Sequence, residues 1–216
     1  MSKPFAFPWD RVKPFKFYAL GMLFVRVAGN ILYKIRVIGR ENLPESASGM
    51  ILVCNHLRSI DPALLMVATR LRWRFMAKIE LFQNKFTAWI YTHCNAFPVD
   101  REIIDRRALD FALAAMAEGS CGMGIFPEGT RSPDGSPKEA KAGVAMLARR
   151  THADILPCSI YYEGELKLRT RITIRIGEVI PFAALGLGET PNKRQNQAAC
   201  EKIMAEITAL WEKGHD

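Results

Sequence analysis

The most informative segment of this chain is residues 50–62, which read Met50-Ile51-Leu52-Val53-Cys54-Asn55-His56-Leu57-Arg58-Ser59-Ile60-Asp61-Pro62. The five apolar residues at its start predict a buried strand, and Pro62 opens an apolar helical pattern. His56 and Asp61 therefore lie in a turn between a strand and a helix, where α/β proteins commonly place chemistry. A histidine can take a proton from a hydroxyl, and a nearby carboxylate fixes its tautomer. Taken alone, the pair fits equally well a helix-capping aspartate beside a surface histidine.

The segments on either side alternate between strand and helix patterns. Strands are predicted at 34–39, 50–54, 74–77, 96–99, 122–126, 155–161 and 171–176, and helices at 62–68, 81–92, 104–115, 140–150 and 198–213. Pro157 in the sixth strand indicates a sheet edge or a pocket wall. The alternation predicts an α/β fold with a single mixed, largely parallel sheet covered by helices.

Composition limits the partners that this chain can have. It has 216 residues, 49% of them hydrophobic and 24% charged, as in globular proteins. The net charge of +8 favours an anionic partner such as nucleic acid, anionic lipid or an acidic carrier. No nucleic-acid-binding motif accompanies this charge, so we expect no nucleic-acid partner.

The cysteines give no sign of a metal site or of disulfides. There are five of them, an odd number, and they are scattered along the chain, which is typical of reduced core residues in a cytosolic protein. A zinc site at His93 and Cys94 lacks a second pair of ligands, so we expect no bound metal.

The first 34 residues form an apolar and basic N-terminal appendage. The longest uncharged run, residues 17–25, is far shorter than the roughly 20 residues of a spanning helix, and no signal-peptide pattern is present. Aromatic residues alternate with cations between Phe5 and Tyr18, as at a membrane interface. We expect residues 1–34 to form a helical segment that holds the protein, peripheral or monotopic, on the cytoplasmic face of an anionic membrane. An ordinary amphipathic core helix fits the periodicity equally well.

A second polar loop follows the strand predicted at 122–126 and reads Phe126-Pro127-Glu128-Gly129-Thr130-Arg131-Ser132. Its backbone N–H groups, hydroxyls and guanidinium suit an anion, and arginine can bind a phosphate through two hydrogen bonds. Another strand pattern, Phe97-Pro98-Val99-Asp100-Arg101, also ends in an arginine. Each of these segments, taken alone, is equally typical of ordinary turns.

Together the segments resemble the glycerolipid acyltransferase family. The family motif N-H-x-S-x-x-D is similar to residues 55–61, and the motif F-P-E-G-T-R-S is complete at residues 126–132. Two further family motifs are an arginine after an aromatic-proline-valine stretch and an apolar strand with proline, which match Arg101 and the strand around Pro157. Order and spacing agree over residues 37–161, so we expect residues 35–216 to form the acyltransferase domain.

The resemblance implies an enzyme that transfers a fatty acyl group from acyl-coenzyme A or an acyl carrier protein. The implied acceptor is the sn-2 hydroxyl of 1-acylglycerol 3-phosphate, the product is phosphatidic acid, and no cofactor is needed. His56 is implied as the general base and Asp61 as its orienting partner. The implied acceptor-binding residues are Arg101, Glu128, Gly129, Thr130 and Arg131.

Other features of the sequence keep alternatives open. Arg58 stands where the family usually has serine, so glycerol 3-phosphate or another lysolipid is a second candidate acceptor, and we expect Arg58 and Lys141 to contact the acceptor or the carrier. A catalytically silent lipid- or carrier-binding module is a third reading. Cys54 lies two residues before His56 and is a candidate nucleophile, although an apolar strand end favours an inert thiol.

Overall fold

The computed structural model describes residues 18–100, 105–132 and 135–216. In chain order the elements are α1 (Tyr18–Leu32), β1 (Lys34–Ile38), β2 (Met50–Cys54), α2 (Asp61–Thr69), β3 (Trp73–Lys78), α3 (Lys85–His93), β4 (Ala96–Val99), α4 (Arg106–Ala117), β5 (Gly122–Ile125), α5 (Gly143–Thr151), β6 (Asp154–Tyr161), β7 (Arg171–Ile176) and α6 (Lys193–Glu212). Arg101 and the aromatic–cation series before Tyr18 lie outside the described residues.

The described strands form one seven-stranded sheet in the order β1-β7-β6-β2-β5-β3-β4. The pair of β6 and β7 is antiparallel, and the other neighbouring pairs are parallel. The prediction of a single mixed, largely parallel sheet is therefore confirmed. Because β2 and β5 are parallel neighbours, the two polar loops that follow them leave the same edge of the sheet.

Helices cover both faces of the sheet. The apolar side chains of α2 join those of β1 and β7 in one core, and Met22 of α1 packs against this core. On the opposite face α4, α5 and α6 pack on β2 and β6. Strands buried on both faces read as continuous apolar runs, which explains why Met50–Cys54 contains no polar residue.

The sheet-edge interpretation of Pro157 is wrong, because β6 lies inside the sheet between β2 and β7. The N–H of Ile155 donates to Ile180 O on the β7 side of the strand, and N–H groups two residues apart point to the same side. A backbone N–H at position 157 would therefore face β7, so the proline removes no hydrogen bond between β6 and β2. On that side β7 ends at Ile176, and the next residue, Gly177, donates its N–H to Pro157 O at 2.8 Å.

Several helices begin at other residues than the sequence pattern indicates. Helix α3 starts at Lys85 and not at residue 81, because residues 79–82 form a separate short 3-10 helix. Helix α5 starts at Gly143 and not near residue 140, because the N–H of Lys141 donates to Pro127 O at 2.8 Å and so fixes that segment to the second polar loop. Helix α6 starts at Lys193, where the side chain of Asn192 caps it by accepting from two backbone N–H groups.

Among the described residues, no helix combines the length and the apolar character that crossing a membrane requires.

Candidate active site

The turn after β2 brings His56 and Asp61 into direct contact. The Nδ1 atom of His56 lies 2.8 Å from Oδ2 of Asp61. The same oxygen accepts the backbone N–H groups of Leu57 and Arg58, each at 2.7 Å. The Asp61 side chain makes no capping bond to α2, so the helix-capping interpretation does not describe this aspartate. Its carboxylate instead fixes the turn and the tautomer of the imidazole.

Asn55 ties this turn to the neighbouring strand. Its side-chain oxygen accepts the N–H of Ile160 at 2.9 Å, and its side-chain nitrogen donates to Ile160 O at 3.0 Å. Both groups are fully buried, so leaving them unpaired would be costly. The asparagine thus locks the end of β2, and with it His56, onto β6.

The second polar loop holds His56 from the other side. The N–H of Ser132 donates to His56 O at 2.7 Å, and Oε1 of Glu128 accepts the N–H of His56 at 3.2 Å. Glu128 is only 4% exposed, and its Oε2 has no hydrogen-bond partner among the described residues. Burial raises the pKa of Glu128 to about 7, although the bond from His56 and the positive charge of Lys138 oppose this rise.

Gly129 brings Lys141 over the second loop. Gly129 has a φ of +72°, and a Cβ placed there would lie 2.9 Å from Cδ of Lys141. The glycine therefore meets two demands at once, a left-handed backbone and room for the lysine stem. The structure thus brings Gly129 and Lys141 together beside Glu128.

The imidazole of His56 stacks on an aromatic ring. The ring centroids of His56 and Phe126 are 4.0 Å apart with planes 17° apart, and Phe126 in turn stacks on Phe75 at 5.7 Å. Phe75 crosses β5 at Gly124, where a Cβ would lie 2.2 Å from the ring. Gly124 therefore leaves room for the ring of Phe75, which in turn supports Phe126, the ring that stacks on His56.

An apolar groove of about 410 Å³ opens beside His56. It lies between the sheet and helices α4 and α5. Its lining includes Met76, Val99, Leu109, Ile125, Val144 and Leu147. His56, Gly129 and Lys141 line the same groove, so a nitrogen base and an apolar channel share one space.

The remaining predicted residues lie around this centre or beyond the described residues. Arg58, Thr130 and Arg131 are all exposed, and all three belong to the two polar loops. Arg101 lies outside the described residues. Cys54 is fully buried among apolar residues, and burial raises the pKa of its thiol well above the ordinary value. A thiol in this state is a poor nucleophile, so the structure argues against a cysteine-based route.

Three residues contribute to this site without having been assigned a role from sequence. They are Asn55, Phe126 and Ser132, which fix the turn, support the imidazole and bind the backbone of His56. All three lie within the family motifs quoted above, and their position in those motifs was the feature of the sequence that could have identified them. Among the described residues, no group of three or more histidine, cysteine or acidic side chains is arranged to hold a metal ion.

Known proteins share both the sequence pattern and the fold. The family model described as Acyltransferase matches residues 34–161. The 1-acyl-sn-glycerol-3-phosphate acyltransferase of Bacillus subtilis (strain 168) is 31% identical over 185 residues, which is 83% of this chain and 89% of that protein. The enzyme of the same name from Streptococcus pneumoniae is 26% identical over 89% of this chain and 69% of its own length.

A solved structure shows the same architecture. The crystal structure of the 1-acyl-sn-glycerophosphate acyltransferase from Thermotoga maritima superimposes with a TM-score of 0.68 at 24% identity, covering 90% of this chain and 81% of that one. The resemblance drawn from the motifs is thus confirmed. The chain belongs to the acyltransferase family and is an enzyme of the O-acyltransferase type.

Proposed function

We propose that this enzyme transfers a fatty acyl group from a thioester to the sn-2 hydroxyl of 1-acylglycerol 3-phosphate, giving phosphatidic acid. The observation that carries the proposal is the His56–Asp61 pair, joined at 2.8 Å, on the wall of an apolar groove. The names of the Bacillus and Streptococcus relatives support the choice of acceptor.

His56 acts as the general base in this mechanism. With Nδ1 bonded to Asp61, Nε2 is the ring nitrogen that takes the proton of the acceptor hydroxyl. The hydroxyl oxygen attacks the thioester carbonyl carbon, the carbon–sulfur bond breaks, and the leaving thiolate takes the proton from His56. Asp61 stabilises the imidazolium between these two transfers. No covalent acyl-enzyme forms, in agreement with the buried and protonated thiol of Cys54.

The second polar loop binds the acceptor. Arg131 and Lys141 supply positive charge for the phosphate, and Thr130 supplies a hydroxyl. Arg101 is expected to join them. Glu128 supports the acceptor site by positioning His56: its Oε1 accepts the backbone N–H of His56, while Oε2 is buried. Holding the acceptor in place supplies much of the rate acceleration in a mechanism of this kind.

The apolar groove takes an acyl chain. Its lining is mostly apolar, with His56, Asp105 and Lys141 as its polar members, and burying each methylene of a chain is worth about 0.8 kcal/mol. Because His56 lines the same groove, an acyl thioester lying in it presents its carbonyl near the base. The donor is acyl-coenzyme A or an acyl carrier protein, and Arg58 at the exposed side of the turn is available to contact the carrier or the acceptor.

We also propose that the enzyme works peripherally at the cytoplasmic face of an anionic membrane, with residues 1–34 as its attachment. Helix α1 carries exposed apolar side chains, which include Leu23, Phe24, Val27 and Ile31, and Phe24 is 73% exposed. Such a face, on a chain with a net charge of +8, suits the interface of an anionic bilayer.

Acceptor competition tests the proposal. Purified protein is given acyl-coenzyme A with 1-acylglycerol 3-phosphate, glycerol 3-phosphate or a lysolipid without a free phosphate. We expect the first acceptor to give the highest kcat/KM. In Arg131→Ala the KM for this acceptor should rise roughly tenfold, because a charge-assisted hydrogen bond to phosphate is lost. Arg150→Ala, which removes an exposed arginine in the last turn of α5, serves as the control and should leave KM unchanged.

The opposite results have clear meanings. An unchanged KM in Arg131→Ala would remove this arginine from the acceptor site. A higher kcat/KM for glycerol 3-phosphate would assign the enzyme to the alternative acceptor, and binding of lipid without any acyl transfer would identify a silent module.

A further inference from the structure

Helix α3 presents an apolar face that the other described residues leave exposed. Phe86 is 69% exposed, Trp89 is 56% exposed, and Ile90 and Leu81 are also exposed. Phe86, Trp89 and Ile90 recur at the spacing of one helical face. Exposed large apolar groups of this kind are scattered singly on most soluble surfaces, so a cluster of four on one short segment needs an explanation.

The helix is well anchored, so this face is not a sign of a loose segment. The side chain of Asn84 accepts the backbone N–H groups of Phe86 and Thr87 and thereby caps the helix. On the inner side Ala88 and Tyr91 pack against the core, and Tyr91 contacts the ring of Phe82. The ring of Trp89 contacts that of His93 in a tilted arrangement, with centroids 4.4 Å apart. The outer aromatics are therefore held outward by a fixed helix.

The segment that carries the face has a small positive charge. Residues 81–99 contain Lys85 and no acidic residue. The acidic residue just before them, Glu80, forms an ion pair with Lys78 at 2.7 Å. Tryptophan and tyrosine favour the boundary between lipid and water, where the ring is buried and its polar atom stays hydrated. These properties fit the headgroup region of an anionic bilayer.

The face also lies next to the groove that an acyl chain would enter. Helix α3 connects β3 to β4, and these two strands supply Met76 and Val99 to the wall of the groove. Residues 79–82, which include Leu81, directly follow the carboxyl end of β3, and His56 follows the carboxyl end of the parallel strand β2. The segment with Leu81 and the turn with His56 therefore leave the sheet at the same ends of its parallel strands.

We propose that the outer face of α3, formed by Phe86, Trp89 and Ile90, together with Leu81 in the turn before the helix, is a membrane-contacting surface, separate from residues 1–34, that sets the groove against the bilayer. The proposal rests on the proposed function in one respect, since a lipid acceptor and a lipid product have to exchange with a membrane. Two membrane contacts, one at residues 1–34 and one at α3, would fix the orientation of the protein on the bilayer, whereas a single N-terminal attachment would leave it free to rotate.

Vesicle binding by the full chain tests the surface. Phe86→Gln/Trp89→Gln removes its apolar character, and Phe86→Leu/Trp89→Leu is the matched control that keeps it. For vesicles of phosphatidylglycerol and phosphatidylcholine, we expect the dissociation constant of the glutamine variant to rise roughly tenfold and that of the leucine variant to change less than about twofold. Circular dichroism and thermal unfolding verify that both variants are folded.

Fluorescence gives a second and independent readout. In Trp9→Phe/Trp211→Phe the remaining tryptophans are Trp73, which is fully buried, and Trp89. Brominated lipids should quench the emission of this protein, and the added substitution Trp89→Phe should abolish the quenching. Unchanged vesicle affinity of the glutamine variant together with no quenching of Trp89 would overturn the proposal. A glutamine variant that loses self-association and not vesicle affinity would instead identify a contact between copies of the chain.

An activity assay separates this surface from the chemistry. With a short-chain acyl-coenzyme A and an acceptor below its micelle concentration, the glutamine variant should keep the wild-type kcat, because no bilayer is involved. A loss of kcat there would show that the substitutions damage the site itself and would overturn the assigned role. If the wild type transfers no acyl group, the proposed function fails while the vesicle measurements still decide the surface.

Discussion

Asp61→Asn isolates the charge of the orienting carboxylate with almost no change in volume. In the structure Oδ2 accepts three N–H groups, from the ring of His56 at 2.8 Å and from the backbones of Leu57 and Arg58 at 2.7 Å each. The asparagine oxygen can replace Oδ2 for all three donors. Its NH2 group then takes the place of Oδ1, which is buried and has no partner among the described residues. The geometry can survive, but the negative charge that stabilises the imidazolium cannot.

The expected loss is in kcat. Positioned general-base catalysis contributes roughly 10²–10⁴-fold, and most of this depends on a correctly charged partner for the imidazole, so kcat should fall by about that factor. The KM for each substrate should change little, because Asp61 is fully buried and its hydrogen bonds are made to the residues of the turn. The free energy of unfolding should fall by about 1–3 kcal/mol because the asparagine NH2 is left without an acceptor.

Release of coenzyme A thiol at saturating substrates measures kcat, and chemical denaturation measures the free energy of unfolding. Asp154→Asn is the matched control. The Asp154 carboxylate also accepts a backbone N–H, from Phe182 at 2.7 Å, but it lies at the amino end of β6, whereas His56 follows the carboxyl end of the parallel strand β2. This control should keep kcat. A folded Asp61→Asn protein with wild-type kcat would refute the reasoning, since the imidazole would then work without its charged partner.

Two further predictions concern the supports of His56. Because burial raises the pKa of Glu128 from 4.5 to about 7, folding favours its protonated form, and the wild-type free energy of unfolding should fall as pH rises between these values. Glu128→Gln can still accept the His56 N–H but does not titrate, so it should lack this fall. Denaturation at pH 5 and pH 8 measures the difference, and an equal pH dependence in the two proteins would contradict the prediction. Gly124→Ala places a Cβ 2.2 Å from the ring of Phe75 and should lower the free energy of unfolding by about 1–3 kcal/mol. It should also reduce kcat, because a displaced Phe75 moves Phe126, the ring on which His56 stacks. An unchanged thermal midpoint and an unchanged kcat would show that Phe75 can move without cost.

The fold was predictable because the strands carry a strong pattern. Strands buried on both faces are apolar throughout, so residues 50–54 and 96–99 were predicted with the bounds that the structure shows. The strand at 171–176, which alternates isoleucine with polar residues, was also predicted with the observed bounds. Pro157 misled the prediction because a proline normally marks an edge strand, and here β7 ends at Ile176, so that Gly177 lies opposite the position without a donor. The start of α5 depended on a bond from Lys141 to Pro127, a contact between segments that helical periodicity does not encode.

The site was predictable as a set of residues and less so as a set of contacts. The spacing of His56 and Asp61 and the complete second loop pointed to one place, because they follow parallel neighbouring strands. What the sequence could not supply is the way in which Glu128 binds the backbone of His56, since the two residues are 72 positions apart in the chain. The groove likewise arises from the packing of helices on the sheet, and its position is a property of the folded molecule.

The role of His56 is tested most directly by measuring phosphatidic acid formation by the purified wild type and by His56→Ala on anionic vesicles. The acceptor is 1-acylglycerol 3-phosphate, and the donor is acyl-coenzyme A or an acyl carrier protein thioester. If His56 is the general base, the substitution should reduce kcat by about 10²–10⁴-fold while the protein stays folded and bound to the vesicles. Wild-type kcat in a folded His56→Ala protein would contradict the central claim.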